Sequence, residues 1–346
     1  MMRLLTLLAA ALPLLSATGP ASAAAPGEPH VPAGVAAGYV VFDRQSGKVT
    51  SHRNAHRKFR SASVVKILIA IDYLESHRSV PRNDLALLKV MLRVSDDNAA
   101  TSFWTRGGQG RIIERTARKL GLTDTAPPPA GLPGFWGYTS LSALDVTRTY
   151  RYLLDRADPK VSGLILGHLR QAEQCGSDGF DQYFGIPRGV ARPWAVKQGW
   201  SGYGSTPPVR CRQAGPAGAP EKATATGVAP GTTATATSAE TATAQTTAAA
   251  DRGAAPGTTA GIARTAAASS AASGATATAA ATVAAATVAG AVPDLGHPVL
   301  HTTGLVGPGE RWIMVLLTAH PSGTGWQRST GQVTRLAGEV YRSGTS

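Results

Sequence analysis

Apolar residues keep two different rhythms along this chain. The run 64–71, Val-Val-Lys-Ile-Leu-Ile-Ala-Ile, is apolar on every side and long enough to predict a buried helix, extending to about residue 77. Ser61 and Ser63 are both candidate caps for its start. Residues 85–94 (LALLKVMLRV) predict a second apolar helix, ended by the polar tetrad Ser95-Asp96-Asp97-Asn98. Helical spacing resumes over 99–104, breaks at Gly107-Gly108, and returns over 111–120 before Gly121. A Pro/Gly-rich loop covers 123–137, and 140–154 and 161–173 again read as helices.

Strand composition lies outside this helical block. Residues 38–43 and 48–52 flank a turn signal at Gln45-Ser46-Gly47-Lys48. Residues 195–200 read as a strand edge, 299–306 as a strand before the Gly307-Pro308-Gly309 turn, and 311–318 (RWIMVLLT) as the strongest strand. Residues 332–341 suit a closing helix. Strands at both ends with helices between predict an α+β fold: a sheet built from both termini beside a helical lobe.

Composition divides the chain further. Residues 1–23 read as a signal peptide: Arg3, an apolar stretch over 4–15, and the small-residue site Ala21-Ser22-Ala23. No cysteine lies near that site and no other stretch is long enough to span a bilayer, so export as a soluble protein close to the cell wall is expected. Residues 24–36 read as a loose leader. Residues 214–292 are Ala, Thr, Gly and Ser with almost no large apolar side chain, which predicts a disordered insertion; transient helix over 279–288 is the competing reading. The remainder, 37–213 and 293–346, is about 240 residues and suits one domain, expected to be a monomer.

The net charge of +13 rests on 26 Arg against 8 Lys, without a basic cluster or basic amphipathic helix. It therefore names no partner, and neither nucleic acid nor stable membrane insertion is expected. Cys175 and Cys211 can form one disulfide in an exported chain, worth about 3–4 kcal/mol in the chain-entropy model; two buried thiols are the alternative.

Candidate chemistry begins at Ser63-Val64-Val65-Lys66. Three residues apart on a helix, Ser63 and Lys66 share a face. Burial and the helix dipole both favour the neutral lysine that a serine nucleophile needs as base. Ser-x-x-Lys alone is weak, but Ser95-Asp96-Asp97 and Lys197-Gln198-Gly199 follow it. There is no Gly-x-Ser-x-Gly elbow and no phosphate loop. His297 and His301 lack a nearby carboxylate at ligand spacing, so no metal or other cofactor is expected. His301 could contact a substrate carboxylate, although a structural role suits it better.

The three motifs resemble the SxxK, SDN and KTG elements of the serine β-lactamase and penicillin-binding-protein superfamily, over nearly all of the chain outside the tract and the leader. The resemblance implies Ser63 as nucleophile, Lys66 as its base and Ser95 as a proton relay to the departing nitrogen. It gives Lys197, Gln198 and Gly199 a substrate-binding role, with Asp97 at the third position of the second motif. It also implies an oxyanion hole from the backbone N–H groups of Ser63 and Trp200. Three departures stand out. Asp97 replaces an asparagine, Gln198 replaces a threonine or serine, and between Leu122 and Tyr138 the only acidic residue is Asp124, so no glutamate is present there to hydrolyse an acyl-enzyme.

Two functions follow: a secreted serine hydrolase acting on β-lactams or D-Ala-D-Ala-type peptides, and a non-catalytic domain that keeps the pocket without efficient turnover. Because the Ala/Thr tract cannot bury a core, deleting residues 214–291 is expected to leave the melting temperature within a few degrees of the full chain. A large drop in a thermal scan would make the tract part of the core.

Overall fold

The computed structural model describes residues 27–212 and 292–346. The signal peptide and the Ala/Thr tract called from sequence lie outside the described residues. Two residues of the expected loose leader make contacts with the fold. Glu28 pairs with Arg53 at 2.8 Å, and the His30 N–H donates to Glu339 Oε2 at 2.7 Å.

Seven strands and eight helices make up the described chain. The strands are β1 (Ala36–Asp43), β2 (Lys48–Arg53), β3 (Phe59–Arg60), β4 (Ser140–Leu141), β5 (Trp194–Ser201), β6 (Val299–Val306) and β7 (Trp312–Ala319). The helices are α1 (Lys66–Ser76), α2 (Arg82–Arg93), α3 (Asp97–Arg106), α4 (Gly110–Leu120), α5 (Ala143–Asp155), α6 (Pro159–Arg170), α7 (Ile186–Gly189) and α8 (Trp326–Thr345). Five strands form one antiparallel sheet in the order β2-β1-β7-β6-β5, and β3 pairs with β4. Strands from both ends of the chain therefore meet in one sheet, and the 311–318 run becomes its centre, paired to β1 and β6.

Helices cover both faces of that sheet, which explains why its central strands are apolar without alternation. Val40, Phe42, Val315 and Leu317 join a core with α1 to α6; Tyr39, Val41, Met314 and Leu316 join another with α7 and α8. Successive side chains of each strand feed opposite layers. α1 runs through the middle of the helical lobe, so Lys66 through Leu74 are all buried. Its one buried carboxylate, Asp72, receives a bidentate Arg115 at 2.8 Å.

Helix ends follow the residues placed there. Asp96 caps α3, accepting from Ala99 N–H at 2.8 Å, and Gly121 closes α4 in the left-handed region (φ 69°). The start of α1 departs from expectation, because neither Ser61 nor Ser63 caps it. A 3₁₀ turn (Ala62–Val65) leads in instead, and Ser61 Oγ donates to Ala62 O and Gly137 O. α8 is longer than the predicted 332–341, because its buried face continues to Gly344 against Val41.

Cys175 and Cys211 are joined, with Cα atoms 5.4 Å apart across 36 residues. The Cys211 N–H donates to Gly179 O at 2.8 Å, fixing the 175–181 hairpin beneath β5. Replacing both cysteines by serine is expected to lower unfolding free energy by about 4 kcal/mol, measured by urea titration. A loss under about 1 kcal/mol would mean the hairpin holds itself.

Candidate active site

Ser63 sits in the 3₁₀ turn before α1 and is 6 % exposed. β5 presses on this turn. A Cβ at Gly199 would lie 3.1 Å from Ser63 N and 3.2 Å from Ser61 O, so any larger residue would push strand and turn apart by a few tenths of an ångström. Ala62, just before Ser63, has φ 43°, and Ser95 has φ 59°. Two non-glycine residues in the left-handed region therefore flank or carry the two hydroxyls.

Lys66 opens α1 with its side chain fully buried. Its Nζ donates to Ser95 O at 2.5 Å, Ser95 Oγ at 3.2 Å and Asp97 Oδ1 at 2.6 Å. Three N–H groups thus have three acceptors, and the Ser63 hydroxyl is not among them. The Trp136 ring lies 4.8 Å from the same ammonium. Lys197, from β5 and 1 % exposed, donates to Ser95 Oγ at 2.8 Å and to Gln198 O at 3.0 Å. Behind it, Tyr150 and Thr303 share a hydrogen bond, and Thr303 Oγ1 donates to Lys197 O at 2.8 Å, which holds the strand in place.

Ser95 Oγ accepts from both lysines and so uses both lone pairs, leaving its own proton to donate. Burial pulls the Lys66 pKa down, and the Asp97 charge works against that pull. Lys197 is pulled down well below the ordinary lysine range by burial, with the Lys66 charge adding to it.

A cavity of about 310 Å³ opens beside this network, lined by Ser63, Asp97, Trp136, Asp178, Trp200 and neighbours. The structure therefore brings Ser63, Lys66, Ser95, Asp97, Lys197, Gly199 and Trp200 together. Gln198 is a correction. Strand alternation turns it to the opposite face, 2 % exposed, where its Nε2 donates to Phe184 O at 2.5 Å, so its side chain cannot meet a substrate carboxylate. His301 is fully buried, bonded through Nε2 to Arg60 O at 2.8 Å and through Nδ1 to Thr318 N–H, a structural position. Asp124 accepts from Ser142 Oγ at 2.7 Å and pairs with His56 at 2.9 Å, contacts that tie the helical lobe together.

Asp178 carries no motif. Its Oδ1 accepts from Phe180 N–H at 3.1 Å and its Oδ2 from the Trp200 indole at 2.9 Å. Burial raises its pKa, with Asp97 adding to the rise.

Solved structures share this fold over most of the chain. The structure of PBP-A aligns over 90 % of this chain and 90 % of its own at TM-score 0.50 and 11 % identity. A PBP-A mutant solved as its acyl-enzyme complex with penicillin G aligns over 90 % of each chain, at TM-score 0.51 and 11 % identity. A class A β-lactamase from Mycobacterium abscessus covers 89 % of this chain and 94 % of its own at TM-score 0.49 and 14 % identity. The fold is β-lactamase/transpeptidase-like. Among curated proteins, "Putative lipoprotein LppW" of Mycobacterium tuberculosis and of Mycobacterium bovis are 40 % identical over 168 residues, 46 % of this chain. The chain spans about half the length of these relatives, 52 %. No protein-family model matches it.

The sign of the lysine shifts sets a pH test. Between the lowered folded pKa of Lys197 and the ordinary lysine value, the unfolded chain binds more protons, so wild-type stability rises with pH. Lys197→Met is expected to stabilise by about 1 kcal/mol or more near pH 7. That advantage should shrink toward pH 10 when melting temperatures are compared. An advantage that grows with pH would mean Lys197 is charged and well compensated.

Proposed function

We propose that this chain is a serine hydrolase of the β-lactamase or DD-peptidase type that forms an acyl-enzyme at Ser63. The observation carrying this reading is the convergence of both lysines on the Ser95 hydroxyl beside a cavity that Ser63 lines. The substrate class is β-lactams or D-Ala-D-Ala-type peptides. The site belongs to an exported, cell-envelope protein, in keeping with the name of the mycobacterial relatives. Among the described residues no helix is long and apolar enough to cross a membrane.

Neutral Lys66 takes the Ser63 proton as Oγ attacks the carbonyl carbon. The carbonyl oxygen gains negative charge, held by the N–H groups of Ser63 and Trp200. The tetrahedral centre then collapses and the C–N bond breaks. Ser95 gives its proton to the departing nitrogen and takes another from the Lys66 ammonium, which returns Lys66 to neutral. A substrate carboxylate arriving beside Lys197 favours its protonated form, and the resulting ammonium holds that carboxylate. With all three of its N–H groups engaged, Lys66 must first lose a proton to solvent, release Asp97 and turn the freed lone pair toward Ser63.

A second reading rests on that same contact. With Lys66 committed to Ser95 and Asp97, and with the Gln198 side chain turned inward, the chain could bind a ligand without turning it over. Intact-mass measurement after exposure to benzylpenicillin separates the two. A wild-type adduct absent from Ser63→Ala is expected, with Lys66→Met slowing its formation by about 10²–10⁴-fold. No adduct on the folded wild type would leave the binding reading standing.

A further inference from the structure

The cavity surface carries charge of the opposite sign to the lysines behind it. Lys66 and Lys197 are buried, and no lysine or arginine is among the residues that line the opening. Its charged groups are Asp97 and Asp178. Asp97 gives one oxygen to Lys66, while 70 % of its side chain stays exposed. Asp178 accepts only neutral donors, the Phe180 N–H and the Trp200 indole, and no described lysine or arginine forms an ion pair with it. Both side chains are exposed at the opening, so Asp178 stands ready to pair with a cation that a ligand brings.

The walls between the two carboxylates are aromatic. Trp136 and Trp200 line the cavity with Phe135 and Tyr138, whose rings stack at 5.2 Å. Phe135 is 53 % exposed, an uncovered ring at the mouth. Trp136 already lies 4.8 Å from one ammonium, that of Lys66. A pocket with a carboxylate at two points and aromatic rings around them favours a cation, through charge and through the ring faces.

We propose that this cavity selects substrates bearing a primary ammonium group, seated between Asp97 and Asp178 against the tryptophan rings. The proposal rests on the acyl-enzyme reading only for what lies beside the ammonium: a carboxylate end directed toward Lys197. The preferred ligand is dipolar, with its negative end toward the buried lysines and its positive end in the acidic mouth. A peptide whose side chain carries a free amine has this character, and one whose amine is acylated does not. The Asp178 hairpin is held by the Cys175–Cys211 disulfide, so the carboxylate keeps its place before any ligand arrives.

The test compares two peptides that differ by one charge, Nα-acetyl-L-Lys-D-Ala-D-Ala and its Nα,Nε-diacetyl counterpart. Binding to the full chain is followed by calorimetry and tryptophan fluorescence. Wild type is expected to bind the free ammonium form roughly tenfold more tightly, with the preference falling as salt rises. Asp178→Asn and Asp97→Asn should each reduce the preference to about twofold or less, with circular dichroism checking that each variant is folded. Equal binding of the two peptides by wild type overturns the proposal with no variant needed. A preference that survives both substitutions overturns the assignment to these carboxylates. The benzylpenicillin adduct is scored separately. An adduct without ammonium preference removes only the present inference, and a preference without an adduct removes only the acyl-enzyme.

Discussion

Two ammonium groups share one hydroxyl inside a region that water barely reaches, and much of the site follows from holding them there. Lys66 and Lys197 approach Ser95 Oγ from a helix and from a strand at 3.2 and 2.8 Å. Two protonated lysines so placed would repel, and burial penalises each charge further, which lowers both pKa values. The surroundings offset this with fixed acceptors: Ser95 O, Asp97 and the carbonyl of Gln198. The result is a pair of lysines that shed protons more readily than lysines in water, which is the property a serine nucleophile needs nearby. The same cluster ties α1, α3 and β5 together, so the chemistry and the join between lobe and sheet are one set of contacts.

Asp97 occupies an unusual place in that balance. A neutral amide there would leave the lysine pull to burial alone. A carboxylate at 2.6 Å restores part of the positive charge on Lys66 and competes for its protons. In the proposed mechanism this makes the activation of Ser63 conditional on what happens to the Asp97 side chain, which faces solvent. A ligand able to take over that carboxylate would free Lys66 at the moment of binding. Substrate recognition and base activation would then be coupled through one ion pair.

Much of this was legible beforehand because it is periodic. The α1 run and the central β7 follow from their apolar pattern, the sheet drawn from both termini follows from the order of the elements, and the three motifs were read through a family resemblance. What escaped was tertiary. Ser61 and Ser63 look like caps, but the chain enters α1 through a 3₁₀ turn, and Ser61 Oγ turns to carbonyls instead of a helix N–H. Gln198 was open to better reading, since the neighbour of an inward-facing strand residue must face the other layer. Asp178 was not, because only the folded hairpin and its disulfide carry it to the cleft. The polar and glycine positions of 326–331 hid the first turns of α8, which the sheet face organises rather than local propensity.

The left-handed backbone at Ala62 and Ser95 carries a consequence for how such a chain can change. Both residues hold conformations that an isolated peptide would leave at once, and only the surrounding contacts keep them. Drift toward greater heat resistance would reward any substitution that lets these two positions relax. On the proposed chemistry, robustness and reactivity pull in opposite directions at the same two peptide units. A descendant that had given up chemistry should be recognisable by an ordinary backbone there before any of its hydroxyls or amines were lost.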